Sequence, residues 1–253
     1  MKKNIVYFVL LLFSINAFAS ECVVLLHGLA RSASSMTELE DKLARHGYAV
    51  VNVDYPSRKH VIAELSEMAV VEGLNICNER NAYPVNFVTH SLGGILVRQY
   101  FKNHVPNMVN RVVMLGPPNN GSEVVDNLKD VPGYELLNGP AGMQLGTGAA
   151  NVPQSLGPVN FDLGVIAGTR SINLILSGFL PNPDDGKVSV ESARVEGMCD
   201  FITLPVSHPF IMKNDQVIEE VIHFLQRGVF KSHKAEGSNY APHASAGVGC
   251  SEK

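Results

Sequence analysis

A serine hydroxyl attacks a carbonyl carbon efficiently when a base removes its proton and fixed donors receive the charge that develops on the oxygen. Ser91 stands where such a hydroxyl would be useful. A strand pattern, Val85 to Thr89, runs into His90-Ser91-Leu92-Gly93-Gly94, and a helical pattern of Ile95, Leu96, Tyr100 and Phe101 follows at once. This is the form of a sharp strand-to-helix turn that lifts one hydroxyl above the edge of a parallel sheet. Such a turn calls for a backbone donor upstream, and for an acid and then a histidine downstream. Upstream, the apolar run Val23-Val24-Leu25-Leu26 ends in His27-Gly28-Leu29, where glycine lets the chain bend and the Leu29 N–H can face a developing oxyanion. The second donor is the N–H of Leu92, at the positive end of the following helix. Downstream, the loop after Val165-Ile166-Ala167-Gly168 holds Asp184-Asp185-Gly186, and Val206-Ser207-His208 follows the last apolar run. His208 is the candidate base, and an aspartate would fix its tautomer. Asp185 is preferred because it directly precedes Gly186; Asp184 is a close alternative, with Asp162 and Asp200 more distant ones. His27 and His90 border the site and are read as stabilising its loops by hydrogen bonding.

These residues need a frame that brings strand ends together. Strand patterns near 22–27, 49–54, 85–90, 111–116, 161–168 and 199–204 alternate with helical ones. That alternation predicts an α/β fold, a mostly parallel central sheet with helices on both faces. The first helix carries Met36, Leu39 and Leu43 on one face, with Ser35 and Glu38 as a capping box and Gly47 as its stop. Helices near 60–77, 92–104 and 214–227 follow, the last with Val217, Ile218, Val221, Ile222 and Leu225 on one side. Open α/β sheets bind ligands at the carboxyl ends of their strands, where the preferred candidates Ser91, Asp185 and His208 are expected. Residues 117–160 break the rhythm with Gly, Pro and Asn, and include a short helix near 122–129. This segment is either a substrate-binding cap or a long surface excursion.

The stretches VVLLHGLARSASSM, THSLGG, DDGKVSVESA and LPVSHPFIM together resemble the bacterial lipase/esterase branch of the α/β-hydrolase family, over roughly residues 21–228. The resemblance implies the α/β-hydrolase fold, with Ser91, Asp185 and His208 as a catalytic triad and the Leu29 and Leu92 amides as an oxyanion hole. It also implies hydrolysis of carboxylic esters, with a lipid or other hydrophobic acyl ester as substrate. The family's Gly-x-Ser-x-Gly has Thr89 at its first glycine position. No stretch resembles a lipase calcium site. The same triad serves acyl transfer to alcohols, and a hydrolase scaffold can serve as a non-catalytic binding protein, so both alternatives stay open.

No cofactor is expected. There is no Cys-x-x-Cys, no His-x-x-x-His, no Gly-x-Gly-x-x-Gly after a strand and no Gly-Lys-Ser/Thr phosphate loop. The formal net charge is −4, and it becomes −6 without residues 1–19, which hold Lys2 and Lys3 and no acid. That balance, without a basic run, disfavours nucleic acid as a partner.

Lys2 and Lys3, the apolar stretch Ile5 to Phe13 and Ala17-Phe18-Ala19 have the form of a secretory signal peptide over residues 1–19. Export to the periplasm or beyond follows. No later segment reaches the ~18 unbroken apolar residues of a membrane span. Cys22, Cys77, Cys199 and Cys250 would meet oxidising conditions, and four cysteines allow three pairings. Residues 20–228 read as one hydrolase domain and 229–253 as a poorly ordered tail. The oligomeric state is left open.

Overall fold

The computed structural model describes residues 20–103, 105–231 and Cys250. Six strands form one sheet: β1 (Cys22–Leu26), β2 (Ala49–Val53), β3 (Val85–His90), β4 (Val109–Leu115), β5 (Asp162–Gly168) and β6 (Asp200–Leu204). Their order is β2-β1-β3-β4-β5-β6, and every neighbouring pair is parallel. The expected α/β architecture is the observed one. The helices are α1 (Thr37–Arg45), α2 (Ile62–Glu79), α3 (Leu92–Phe101), α4 (Glu123–Leu128), α5 (Tyr134–Met143), α6 (Val152–Ser155), α7 (Leu174–Ser177), α8 (Val190–Ala193) and α9 (Asp215–Arg227).

Side chains alternate across a strand, so each strand supplies two cores. Val23 and Leu25 of β1 join Val113 and Leu115 of β4 under α1 and α9, where Leu39, Leu43, Val221 and Phe224 close the layer. Val24 and Leu26 face the other way with Phe87, Val112 and Met114, beneath Leu65 and Ala69 of α2 and Ile95 and Leu96 of α3. Burial on both faces explains the unbroken apolar runs. Each fully buried Leu or Phe contributes about 1.5–3 kcal/mol by leaving water.

Helix ends follow local chemistry. Asn214 caps α9 by accepting from the Val217 N–H at 3.1 Å, and Gly228 ends it at φ 75°. Gly47 follows α1 at φ 89°. The Ser35–Glu38 capping box does not form. Residues Ala33–Met36 are a 3₁₀ turn, and the Ser35 hydroxyl donates instead to the Ser32 carbonyl at 2.7 Å. A tighter turn leads into α1, so its first residue comes later than the pattern suggests.

Segment 117–160 holds α4, α5 and α6 and is fastened from below by buried Arg98 of α3. The guanidinium donates to the Asn119 carbonyl at 2.7 Å and to the Gly157 carbonyl at 2.7 Å, one near each end of the segment. The cysteines pair as Cys22–Cys77 and Cys199–Cys250. Among the described residues no helix is long and apolar enough to cross a membrane. Segment 1–19, expected to be a signal peptide, and most of the expected tail, 232–249 and 251–253, lie outside the described residues.

Candidate active site

Ser91 sits between β3 and α3 at φ 52°, ψ −118°, a left-handed backbone that non-glycine residues adopt rarely. Two bonds hold the turn: the Ser91 N–H donates to the Leu115 carbonyl at 2.9 Å, and the Gly94 N–H donates to the Ser91 carbonyl at 3.0 Å. The crowding falls on Gly93, where a Cβ would lie 2.6 Å from the Leu26 carbonyl oxygen. Thr89 stays inside β3, paired in register with Leu26 and Met114, so its branched side chain fits within the sheet.

His208 begins a 3₁₀ turn just after β6. Its Nδ1 lies 2.7 Å from Asp185 Oδ2 and its Nε2 lies 3.0 Å from Ser91 Oγ. A carboxylate only accepts, so Nδ1 carries the proton and Nε2 accepts from the Ser91 hydroxyl. The Asp185 Oδ1 accepts from the N–H groups of Lys187 at 3.0 Å and Val188 at 2.8 Å. The His208 N–H in turn donates to the Asp185 carbonyl at 2.9 Å. Main chain and side chain thus join the two residues twice.

Asp184 is buried beside them with its carboxylate turned elsewhere. It accepts from the Ser177 hydroxyl at 2.5 Å and from the Gly186 N–H at 2.7 Å. Asp162 and Asp200 open β5 and β6, at the sheet edge opposite Ser91.

Leu29 follows the Gly28 turn and lines the same cavity as Ser91. That turn packs against the serine so closely that a Cβ at Gly28 would lie 3.2 Å from Ser91 Cβ and 2.7 Å from His90 Nδ1. Leu92 is the first residue of α3, so its backbone adjoins the serine while its side chain is buried in the core.

The two flanking histidines are spent on loops. His27 Nδ1–H donates to the Gly28 carbonyl at 2.9 Å, and its Nε2 accepts from the Tyr55 N–H at 3.3 Å. Its ring stacks on Tyr55, whose hydroxyl donates to the His27 carbonyl. His90 Nε2–H donates to the His208 carbonyl at 3.1 Å, and its buried Nδ1 has no hydrogen-bond partner among the described residues. Burial lowers both imidazoles below the ordinary 6.5, His90 well below it, with the neighbouring His208 adding to the effect there.

Sequence patterning misses two parts of the site. Gly116, after β4, has φ 54°, and a Cβ there would lie 2.9 Å from Asp185 Oδ2 and 3.1 Å from His208 Nδ1. Residues 172–176 contribute Ile172, Asn173 and Leu176 to the cavity wall. The available signal was the apolar run Ile-Asn-Leu-Ile-Leu inside an otherwise polar loop. The cavity in front of Ser91 measures about 400 Å³ and also takes Val124, Val125, Tyr134 and Leu145 from segment 117–160.

Solved structures share this architecture. The mature form of the Bacillus licheniformis lipase BlEst2 superposes with a TM-score of 0.65 at 20% identity, over 82% of this chain and 91% of that one. The Aspergillus fumigatus lipase B gives 0.62 at 16%, over 82% and 52%. The Exiguobacterium antarcticum esterase EaEST gives 0.56 at 14%, over 83% and 93%. At these identities the likeness is one of fold. A Mycobacterium phage D29 protein described as a putative non-heme haloperoxidase is 28% identical over 138 residues, 51% of this chain and 47% of that protein. The match thus spans about half the length of that curated relative. Residues 23–228 match the family described as the alpha/beta hydrolase family. With that match running through all six strands and the cavity, the chain belongs to the α/β-hydrolase family.

Proposed function

We propose that the protein is a serine hydrolase of carboxylic esters, with Ser91 as nucleophile, His208 as general base and acid, and Asp185 as the group that orients His208. The observation that carries this reading is the hydrogen-bonded series from Ser91 Oγ through His208 to Asp185, with distances of 3.0 and 2.7 Å. His208 takes the Ser91 proton as Oγ attacks the acyl carbon. The resulting oxyanion accepts from the Leu29 and Leu92 N–H groups, and removing one such donor typically costs ~10²–10³ in kcat. The tetrahedral adduct collapses as His208 gives its proton to the departing alcohol. Water then attacks the acyl-enzyme, losing a proton to His208, and Ser91 leaves as the restored hydroxyl.

A hydrophobic acyl group suits the cavity, whose wall includes Leu29, Val124, Val125, Leu145, Ile172 and Leu176. Structural neighbours named as lipases and esterases support the same substrate class. Segment 117–160 acts in this reading as a cap over residues of the 20–228 domain, since it supplies one side of that wall. Two disulfides, together with the basic and apolar leader pattern over residues 1–19, support export.

The test is hydrolysis of a 4-nitrophenyl ester series of rising acyl length by the protein and by its Ser91→Ala variant. Turnover that vanishes in the variant is the expected result. Equal turnover by both would remove Ser91 from the chemistry and overturn the reading.

A further inference from the structure

The cavity wall is not uniformly apolar. Between residues such as Val124, Leu145 and Ile172 stand two cations, Arg31 and Lys187. Among the described residues neither forms an ion pair with a carboxylate. The acidic residue in the same wall, Asp185, has its oxygens engaged by His208 and by two backbone N–H groups. The cavity wall therefore carries two cations against one carboxylate, an excess of positive charge in a chain whose net charge is −4.

Both cations are exposed residues that leave anchored stretches of backbone. The Arg31 N–H donates to the Gly28 carbonyl at 3.2 Å, closing the turn that carries Leu29. The Lys187 N–H donates to Asp185 at 3.0 Å, and its carbonyl accepts from Ser122 Oγ at 2.7 Å. Each cation thus leaves a backbone anchored within two residues of a member of the site. They also feel one another. Desolvation pulls the ammonium of Lys187, an exposed residue, below its ordinary value; the Arg31 charge adds to that effect and the Asp185 carboxylate opposes it. Two like charges held near each other beside apolar walls are relieved by an anion between them. A guanidinium and an ammonium together suit a carboxylate or a phosphate.

We propose that Arg31 and Lys187 form an anion-recognition pair at the mouth of the site, so that the protein prefers esters bearing a carboxylate or phosphate over neutral esters of equal size. This rests on the ester-hydrolase reading of Ser91, and it names the substrate class of that same site.

Two matched pairs of substrates test it. The mono-4-nitrophenyl ester of adipic acid is compared with 4-nitrophenyl hexanoate, placing the anion on the acyl side. Hexanoyl-glycerol 3-phosphate is compared with hexanoyl-glycerol, placing it on the alcohol side. In at least one pair kcat/KM should favour the anionic member by about tenfold, a difference of about 1.4 kcal/mol. The preference should fall toward unity in the Arg31→Gln/Lys187→Gln double variant. It should also shrink in ~1 M salt, where the screening length is ~3 Å. The readout is the ratio within a pair, so a general loss of activity does not mimic the effect. Ser91-dependent hydrolysis without preference in either pair, or a preference that survives in the double variant, overturns the proposal and leaves ester hydrolysis standing. If no ester is turned over, calorimetry on Ser91→Ala protein still decides it. Octane-1-sulfonate should then bind more tightly than octan-1-ol, and the advantage should disappear when both cations are replaced. Equal binding of the two overturns the proposal.

Discussion

His90 and His208 lie 118 residues apart in sequence, yet the Nε2–H of the first donates to the backbone carbonyl of the second at 3.1 Å. The residue directly before the proposed nucleophile therefore holds the main chain of the proposed base. Their rings also meet, with centroids 4.8 Å apart. One turn thus positions both the proposed nucleophile and the proposed base.

Replacing His90 by Ala should lower kcat by about 10²-fold, the scale expected when a reacting group moves by an ångström. The loss should fall mainly on kcat, with a smaller change in KM, because His90 is one of many residues lining the cavity. His90→Gln keeps a donor and should recover part of the loss. Steady-state kinetics of the three proteins checks this. Equal kcat values would show that His208 holds its position without the bond.

Asp184 and Asp185 should separate cleanly. Asp185→Asn removes the acceptor that sets the His208 tautomer, and kcat should fall by ~10³–10⁴. Asp184→Asn should keep most of kcat and lose about 1.5–3 kcal/mol of stability, as its bonds to Ser177 and Gly186 weaken. Kinetics paired with urea unfolding distinguishes the two. The opposite pattern would reassign the acid to Asp184.

Gly116→Ala adds one methyl group where there is no room. At φ 54° the backbone strain alone should cost about 1–2 kcal/mol. The new Cβ, 2.9 Å from Asp185 Oδ2, should also push the carboxylate off His208 and lower kcat. A calorimetric melting curve and a kcat measurement read the two effects separately. An unchanged kcat would mean that the loop after β4 yields before the Asp185–His208 pair does.

Acid should destabilise the fold through its buried histidines. His27 and His90 are held below the ordinary value of 6.5, chiefly by burial. As pH falls through 6.5 the unfolded chain takes up protons there that the folded chain refuses. The unfolded state then binds more protons, so stability decreases with falling pH. Urea midpoints measured from about pH 8 to about pH 5 should stay level at first and decline below about 6.5, and His90→Asn should flatten part of the slope. A midpoint that rises on acidification through this window would contradict the burial account.

Much of the frame is written in the residues, because a strand buried on both faces must be apolar throughout. Val23 to Leu26 and Val112 to Leu115 carry that mark, and the strand ends fall within about two residues of the expected ones. The order of Ser91, Asp185 and His208 along the chain is legible for a related reason: Ser91 and His208 stand just beyond β3 and β6, and Asp185 in the connection between β5 and β6. The direction of a carboxylate is not. Asp184 and Asp185 share one turn, and only contacts with Ser177, Gly186, Val188 and His208 part them. The wall at 172–176 is equally silent to periodicity, because a four-residue helix presents no repeating face. Gly116 looks like any loop glycine until β4, β5 and β6 are folded together. The partner of Cys22 was open among three cysteines, and only the packing of α2 across β1 brings Cys77 to it.

Both disulfides leave from the same side of the sheet. Cys22 begins β1, and Cys199 stands one residue before β6, whereas Ser91 and His208 lie past the opposite strand ends. The sheet therefore has a welded rim and a working rim. A tether to a resin, or a fusion joined near the welded rim, leaves the cavity facing outward. Cross-linking chemistry for immobilisation belongs there, a full strand length from the serine.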